Sequence, residues 1–117
     1  MSTFRMFLNQ ESSSFAKGDT VFSVGDPADR MYIVAEGEVE ISIGHQVVEV
    51  IGPEHIFGEM ALVTKEPRSG TARARTACRL IEIPERRFLF LTQQTPHFAL
   101  DVMRVMAERL RRRDPVA

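Results

Sequence analysis

Two residues in this chain have side chains that chemistry uses, at a spacing that can bring them together. In FGEMALVTKEPRSGTARA, residues 57–74, the carboxylate Glu59 precedes the guanidinium of Arg68 by nine positions, with small or apolar residues around both. Gly58 lets the backbone approach another group closely. EMALV reads as a helix of little more than one turn, and the first N–H groups of a helix lack partners within it. Pro67 sets the entry of the chain into Arg68, Ser69 adds a hydroxyl, and Gly70 adds no bulk. Thr71 opens a strand whose inward residues, Ala72 and Ala74, leave room inside a barrel. Such a set suits a phosphate. An arginine fork bonds two oxygens, backbone amides supply further donors, and Glu59 accepts a ligand hydroxyl. A structural reading fits the same spacing. In it Glu59 is the acid at a helix start, stabilising by about 0.3–1 kcal/mol, and Arg68 is a surface residue or its ion-pair partner.

Other chemistries find little support. His45, His55 and His97 are isolated and show no metal-ligand spacing, which argues against a metal-dependent barrel enzyme. The chain has no nucleophile elbow, phosphate-binding Walker loop or dinucleotide fingerprint. Cys78 alternates with apolar neighbours and reads as a small core residue. A single cysteine forms no internal disulfide, so a reducing cytoplasm is expected. No catalytic activity is expected. The net charge of −1 creates no field that draws nucleic acid or membrane. The apolar runs are too short to span a bilayer, and MSTFRMFLNQ lacks the apolar core and cleavage site of a secretory leader.

A length of 117 residues with 44% hydrophobic composition allows one domain with one substantial core. Roughly residues 1–14 form an N-terminal helical segment, in which Phe4, Phe7 and Leu8 share a side. Over about 15–84, glycines punctuate short runs of Val, Ile, Phe and Tyr, the pattern of an all-β sandwich or barrel. VEISI puts Val39, Ile41 and Ile43 on one face, and TARARTACRL alternates through Cys78. Residues 85–113 turn helical. ERRFLFLTQQ makes one helix, ended by Pro96. A second runs from about His97 to Arg113, with Phe98, Val102, Met106 and Leu110 along one side and Ala99 and Met103 beside them. Asp101, Arg104, Glu108 and Arg112 take its wet side, with Glu108 and Arg112 as an (i, i+4) pair. The expected fold is mainly β with C-terminal helices, a β-roll or jelly-roll barrel.

The stretch from Phe57 to Ala74 resembles the phosphate-binding cassette of the cyclic nucleotide-binding domain family. Members include the catabolite activator protein and the regulatory subunits of cyclic-AMP-dependent kinase. The match rests on Phe57, Gly58, Glu59, Met60, Ala61, Leu62, Pro67, Arg68, Ser69 and Thr71. GDPADRMYIVAEGEVEI and PHFALDVMRVMAERLRRR resemble the family's earlier strands and last helix. Two departures stand out: Glu54 and His55 replace a frequent Gly-Asp pair, and Gly70 replaces a more usual alanine, which is expected to loosen the loop.

The resemblance implies a non-catalytic sensor. Arg68 would pair with the phosphate oxygens and Glu59 with the ribose 2′-hydroxyl. Backbone amides of Gly58, Met60, Ala61 and Ser69 would complete the cradle, beside Gly70 and Thr71. The last helix would close over the base, with Arg109, Leu110 and Arg113 as candidates for the cap. The expected ligand is cyclic AMP, with cyclic GMP second, and no other cofactor is implied. The expected partner is an unknown downstream protein, not nucleic acid. The alternative is an interaction domain of the same fold that has lost nucleotide binding.

Overall fold

The structure, a computed structural model, describes residues 2–113. The chain begins with a short 3-10 helix, Thr3–Phe7, which buries Phe4 and Phe7. The expected helical segment therefore ends early, and residues up to 14 are already entering a sheet. Eight strands follow: β1 (Ser13–Phe15), β2 (Thr20–Phe22), β3 (Arg30–Glu36), β4 (Val39–Ile43), β5 (Gln46–Ile51), β6 (Ile56–Phe57), β7 (Thr71–Ala74) and β8 (Cys78–Pro84). Helix α1 (Glu59–Thr64) sits between β6 and β7, and α2 (Glu85–Gln94) and α3 (Pro96–Arg113) follow β8. The strands form two antiparallel sheets, ordered β1-β8-β3-β6 and β2-β7-β4-β5. The architecture is mainly β with C-terminal helices.

β3 explains why the sequence loses its alternation there. Met31, Tyr32, Ile33 and Val34 are all buried, because the strand is covered on both faces. Met31 and Ile33 pack with Phe4, Phe7, Phe98 and Val102 in a core between sheet and helices. Tyr32 and Val34 join Val39, Ile51, Ala72, Ala74 and Leu80 in a second core between the two sheets. Burial on both faces favours a continuous apolar run over a period of two.

Three expectations change. TARARTACRL is not one strand, since the chain bends at residues 75–77 and passes from one sheet to the other. Ala72 and Ala74 face the inter-sheet core as expected. In β4, Val39 is buried but Ile43 is exposed, because it sits beside the turn that joins β4 to β5, paired with Gln46. The wet side of α3 also differs. Asp101 is buried and accepts a hydrogen bond from the Thr3 backbone N–H at 2.7 Å, tying the 3-10 helix to α3. Arg112 reaches Glu49 at 3.4 Å. Met103 and Leu110 are exposed, while Val105 packs on the core and Arg109 is buried. The apolar residues of α3 thus surround more of the helix than one docking surface can cover.

Candidate functional site

Gly58 opens the site. Its φ is +81° and it caps the start of α1, a backbone region that favours glycine. A Cβ there would lie 2.9 Å from the nearer Arg68 nitrogen. The tight approach brings the Gly58 carbonyl onto Arg68, whose Nη1 donates to it at 2.7 Å. Nη2 donates to the Arg30 carbonyl at 2.6 Å. The backbone of Arg68 is fixed as well: its N–H donates to Asp26 O and its carbonyl accepts from Gly25 N–H. Arg30 is itself held by Glu82 at 2.8 Å, so the strand that offers its carbonyl to Arg68 is braced.

Arg68 is a buried cation, 4% exposed. Its guanidinium lies 4.1 Å from the centre of the Phe22 ring, and Phe22 leans on Tyr32 and Phe57. Among the described residues no carboxylate forms an ion pair with it, and its Nε has no hydrogen-bond partner. Burial pushes the guanidinium below its ordinary value. A buried charge without a counter-charge is costly, so this position favours an anion.

Glu59 is 1% exposed, and its partner is not Arg68. The Arg109 guanidinium, from α3, donates to it through Nη1, and the Met60 N–H donates to it at 3.1 Å. Arg109 also donates through Nη2 to the Ile56 carbonyl at 2.6 Å and through Nε to Glu49 at 3.1 Å. Burial alone would lower the Arg109 pKa, but Glu59 and Glu49 outweigh it and raise it above its ordinary value. The last helix is therefore fastened to the cassette by an arginine between two carboxylates.

One cleft collects Gly58, Glu59, Met60, Ala61, Arg68, Ser69, Gly70 and Arg109, with Phe22, Ile41, Glu49 and Phe57. Thr71 is not among its lining residues; its hydroxyl accepts from the Val24 N–H at 3.1 Å. Leu110 is exposed and does not line the cleft. Arg113 ends α3, and its side chain lies outside the described residues. Gly70 does not loosen its loop. A Cβ there would meet the Ser42 carbonyl at 2.8 Å, so the glycine permits a close approach of β7 to β4. Glu54, where the family often has glycine, takes a left-handed φ of 70°. Phe22 and Glu49 had no signal in the cassette, because they lie outside it, on β2 and β5. Among the described residues, no group of three or more His, Cys, Asp or Glu could hold a metal ion. No described helix is long and apolar enough to cross a membrane.

The pattern of the cyclic nucleotide-binding domain matches residues 12–95, which includes the whole cassette. The chain belongs to the cyclic nucleotide-binding domain family. It is 31% identical over 103 residues to a CRP-like cAMP-activated global transcriptional regulator of Mycobacterium tuberculosis, covering 84% of this chain and 46% of that protein. The catabolite activator protein of Thermus thermophilus superposes with a TM-score of 0.83 at 28% identity, over 89% of this chain and 51% of that one. An EAL enzyme solved in cAMP-bound and cGMP-bound forms superposes with TM-scores of 0.69, at 31% and 32% identity. These two matches cover 89% and 87% of this chain and 29% and 28% of that enzyme. The chain thus spans about half the length of the transcriptional regulator.

Proposed function

We propose that this domain is a non-catalytic sensor of a 3′,5′-cyclic purine nucleotide. The observation that carries the reading is Arg68, a cleft-lining buried guanidinium with no carboxylate partner among the described residues and an Nε without a hydrogen-bond partner. A cyclic phosphodiester supplies the missing anion, and its two exocyclic oxygens suit the arginine fork. The amides of Gly58, Met60, Ala61 and Ser69 are the further donors proposed for it. Glu59 accepts the ribose 2′-hydroxyl, as a buried carboxylate that rejects a ligand lacking that group.

The ligand also reaches α3. Glu59 holds Arg109, so a hydroxyl arriving at Glu59 changes the contact that fastens the helix. A ligand shifts that helix only by its differential affinity for the two positions. This gives a route from sugar to helix and onward to a downstream protein, with no reaction required. Cyclic AMP is the ligand expected from the sequence, and the transcriptional relative named as cAMP-activated supports it. The EAL enzyme carries either nucleotide. Arg68 and Glu59 serve both alike.

Calorimetric titration with cyclic nucleotide tests the reading. Arg68→Ala is expected to weaken binding by about 2–5 kcal/mol, and Arg68→Lys also weakens it, because lysine keeps the charge without the fork. Unchanged affinity in Arg68→Ala would remove the basis of the proposal.

A further inference from the structure

Arg68 is held by a segment that lies outside the cassette. β2 is an edge strand of the second sheet. It pairs with β7 so that Thr20 faces Arg73 and Phe22 faces Ala72, which leaves Val21 as the extra residue of a bulge. A regular ladder would set Val21 opposite Ala72 and turn Phe22 to the other face. The bulge re-aims it. Opposed residues of an antiparallel pair share a face, and Ala72 faces the core between the sheets. Phe22 accordingly packs against that core and lines the cleft. Just past β2 the same segment meets Arg68 again. The Arg68 N–H donates to Asp26 O at 2.9 Å, and its carbonyl accepts from Gly25 N–H at 2.8 Å. The Asp26 carboxylate accepts from the Ser23 N–H at 2.9 Å, which fixes this loop. Residues 22–26 thus hold Arg68 by its backbone and by its side chain.

The side-chain contact is a stack. The guanidinium carbon lies 4.1 Å from the centre of the Phe22 ring, and the negative face of an aromatic ring attracts a cation. The ring is held in turn. Its centre lies 6.0 Å from those of Tyr32 and Phe57, which stack on each other at 4.9 Å. The edge of the guanidinium serves differently. Nη1 and Nη2 each donate to a backbone carbonyl, and Nε has no partner. An arginine has five N–H donors in its plane, so donors remain for an anion. Ring and anion meet different parts of the group, face and edge, and do not compete.

We propose that Phe22 is a positioning residue for the ligand's phosphate: its ring holds the Arg68 guanidinium in the plane from which it bonds the anion. The proposal rests on the cyclic-nucleotide reading above. Before a ligand arrives, Arg68 is a buried cation without a carboxylate partner, and such a charge is drawn toward water. The flexible arginine stem allows the head to turn out. The stack opposes that turn and keeps the fork in place. Where the stack is lost, binding must order the side chain again, and affinity falls. Leucine at this position keeps apolar bulk but has no negative face. The effect passes through the partner of the phosphate, so it is blind to the base.

Calorimetric titration with cyclic AMP and with cyclic GMP tests it on wild type, on Phe22→Leu and on a chain carrying pentafluorophenylalanine in place of Phe22. Fluorination keeps the shape of the ring and reverses the charge of its face, so packing is retained while the attraction is removed. Phe22→Leu should weaken both nucleotides by about tenfold or more. The fluorinated ring should weaken both by about fivefold or more. A smaller loss with the fluorinated ring, or tighter binding, overturns the proposal, because Phe22 would then act through bulk alone. A loss confined to one nucleotide also overturns it, since that places the ring against the base. Should Phe22→Leu fail to fold, the fluorinated chain decides by itself. These results leave the sensor reading standing; binding of neither nucleotide by wild type sinks both.

Discussion

Arg109→Ala should destabilise the domain far more than a surface substitution. The Arg109 and Glu59 side chains are 9% and 1% exposed, so solvent screens their interaction little. Removing one partner of a buried ion pair costs about 3–5 kcal/mol, because the other charge is left uncompensated. In the variant Glu59 keeps only the Met60 N–H at 3.1 Å, and the Ile56 carbonyl loses its donor at 2.6 Å. A chain of 117 residues unfolds with an entropy of roughly 0.25 kcal/mol/K near its midpoint, so each kcal/mol moves Tm by about 4 °C. The expected fall is about 12–20 °C. Thermal unfolding followed by circular dichroism at neutral pH measures it, on wild type, Arg109→Ala, Glu59→Gln and the double variant. In the Glu59→Gln background the deeply buried carboxylate is gone and the partly exposed Glu49 keeps Arg112, so Arg109→Ala should cost about half as much or less. A drop below about 4 °C, or the same drop in both backgrounds, would show that the pair does not fasten α3 to the cassette.

Gly70→Ala should destabilise the domain by about 1–3 kcal/mol in a denaturant titration, since its Cβ would press on the Ser42 carbonyl at 2.8 Å; wild-type stability in this variant would contradict the close approach of β7 to β4. Acid should weaken the fold in part through Glu82. Burial alone would raise the Glu82 carboxyl, but the Ser13 hydroxyl and the Arg30 guanidinium hold it below its ordinary value of 4.5. Its contribution is complete above the unfolded-state pKa and is lost as pH falls through the folded one. Stability measured against pH should fall less steeply below the ordinary glutamate value in Glu82→Gln than in wild type, and identical acid limbs would refute the role.

The local part of the site was legible because its geometry is local. Gly58, the one-turn helix and Pro67-Arg68 lie within eleven residues. A left-handed glycine, a helix start and a proline constrain the backbone whatever surrounds them. The resemblance to a phosphate-binding cassette rests on that segment, and the structure places Glu59 and Arg68 on one cleft. Alternation likewise marked Ala72 and Ala74 as inward, since a strand presents every second residue to one face.

Partner choice was not legible. From spacing, Glu59 had Arg68 or a helix dipole as its natural companions, but the structure gives it Arg109, fifty residues away. In α3 periodicity put Phe98, Val102, Met106 and Leu110 on one side, and the first three do pack on the core, but Leu110 does not and Val105 takes part from beside them. Docking chose Phe98, Val102 and Val105 for the core and left Met103 and Leu110 outside. That rotation turned Arg109 inward, where two carboxylates and a carbonyl satisfy it. Glu49 meets Arg109 through tertiary packing as well: β5, a strand of the other sheet, brings it beside α3. Sequence by itself determined the short-range backbone, which needs only neighbouring residues to define it. Tertiary structure decided which charges meet, because a buried charge takes its partner from whatever side chain the packing brings within reach.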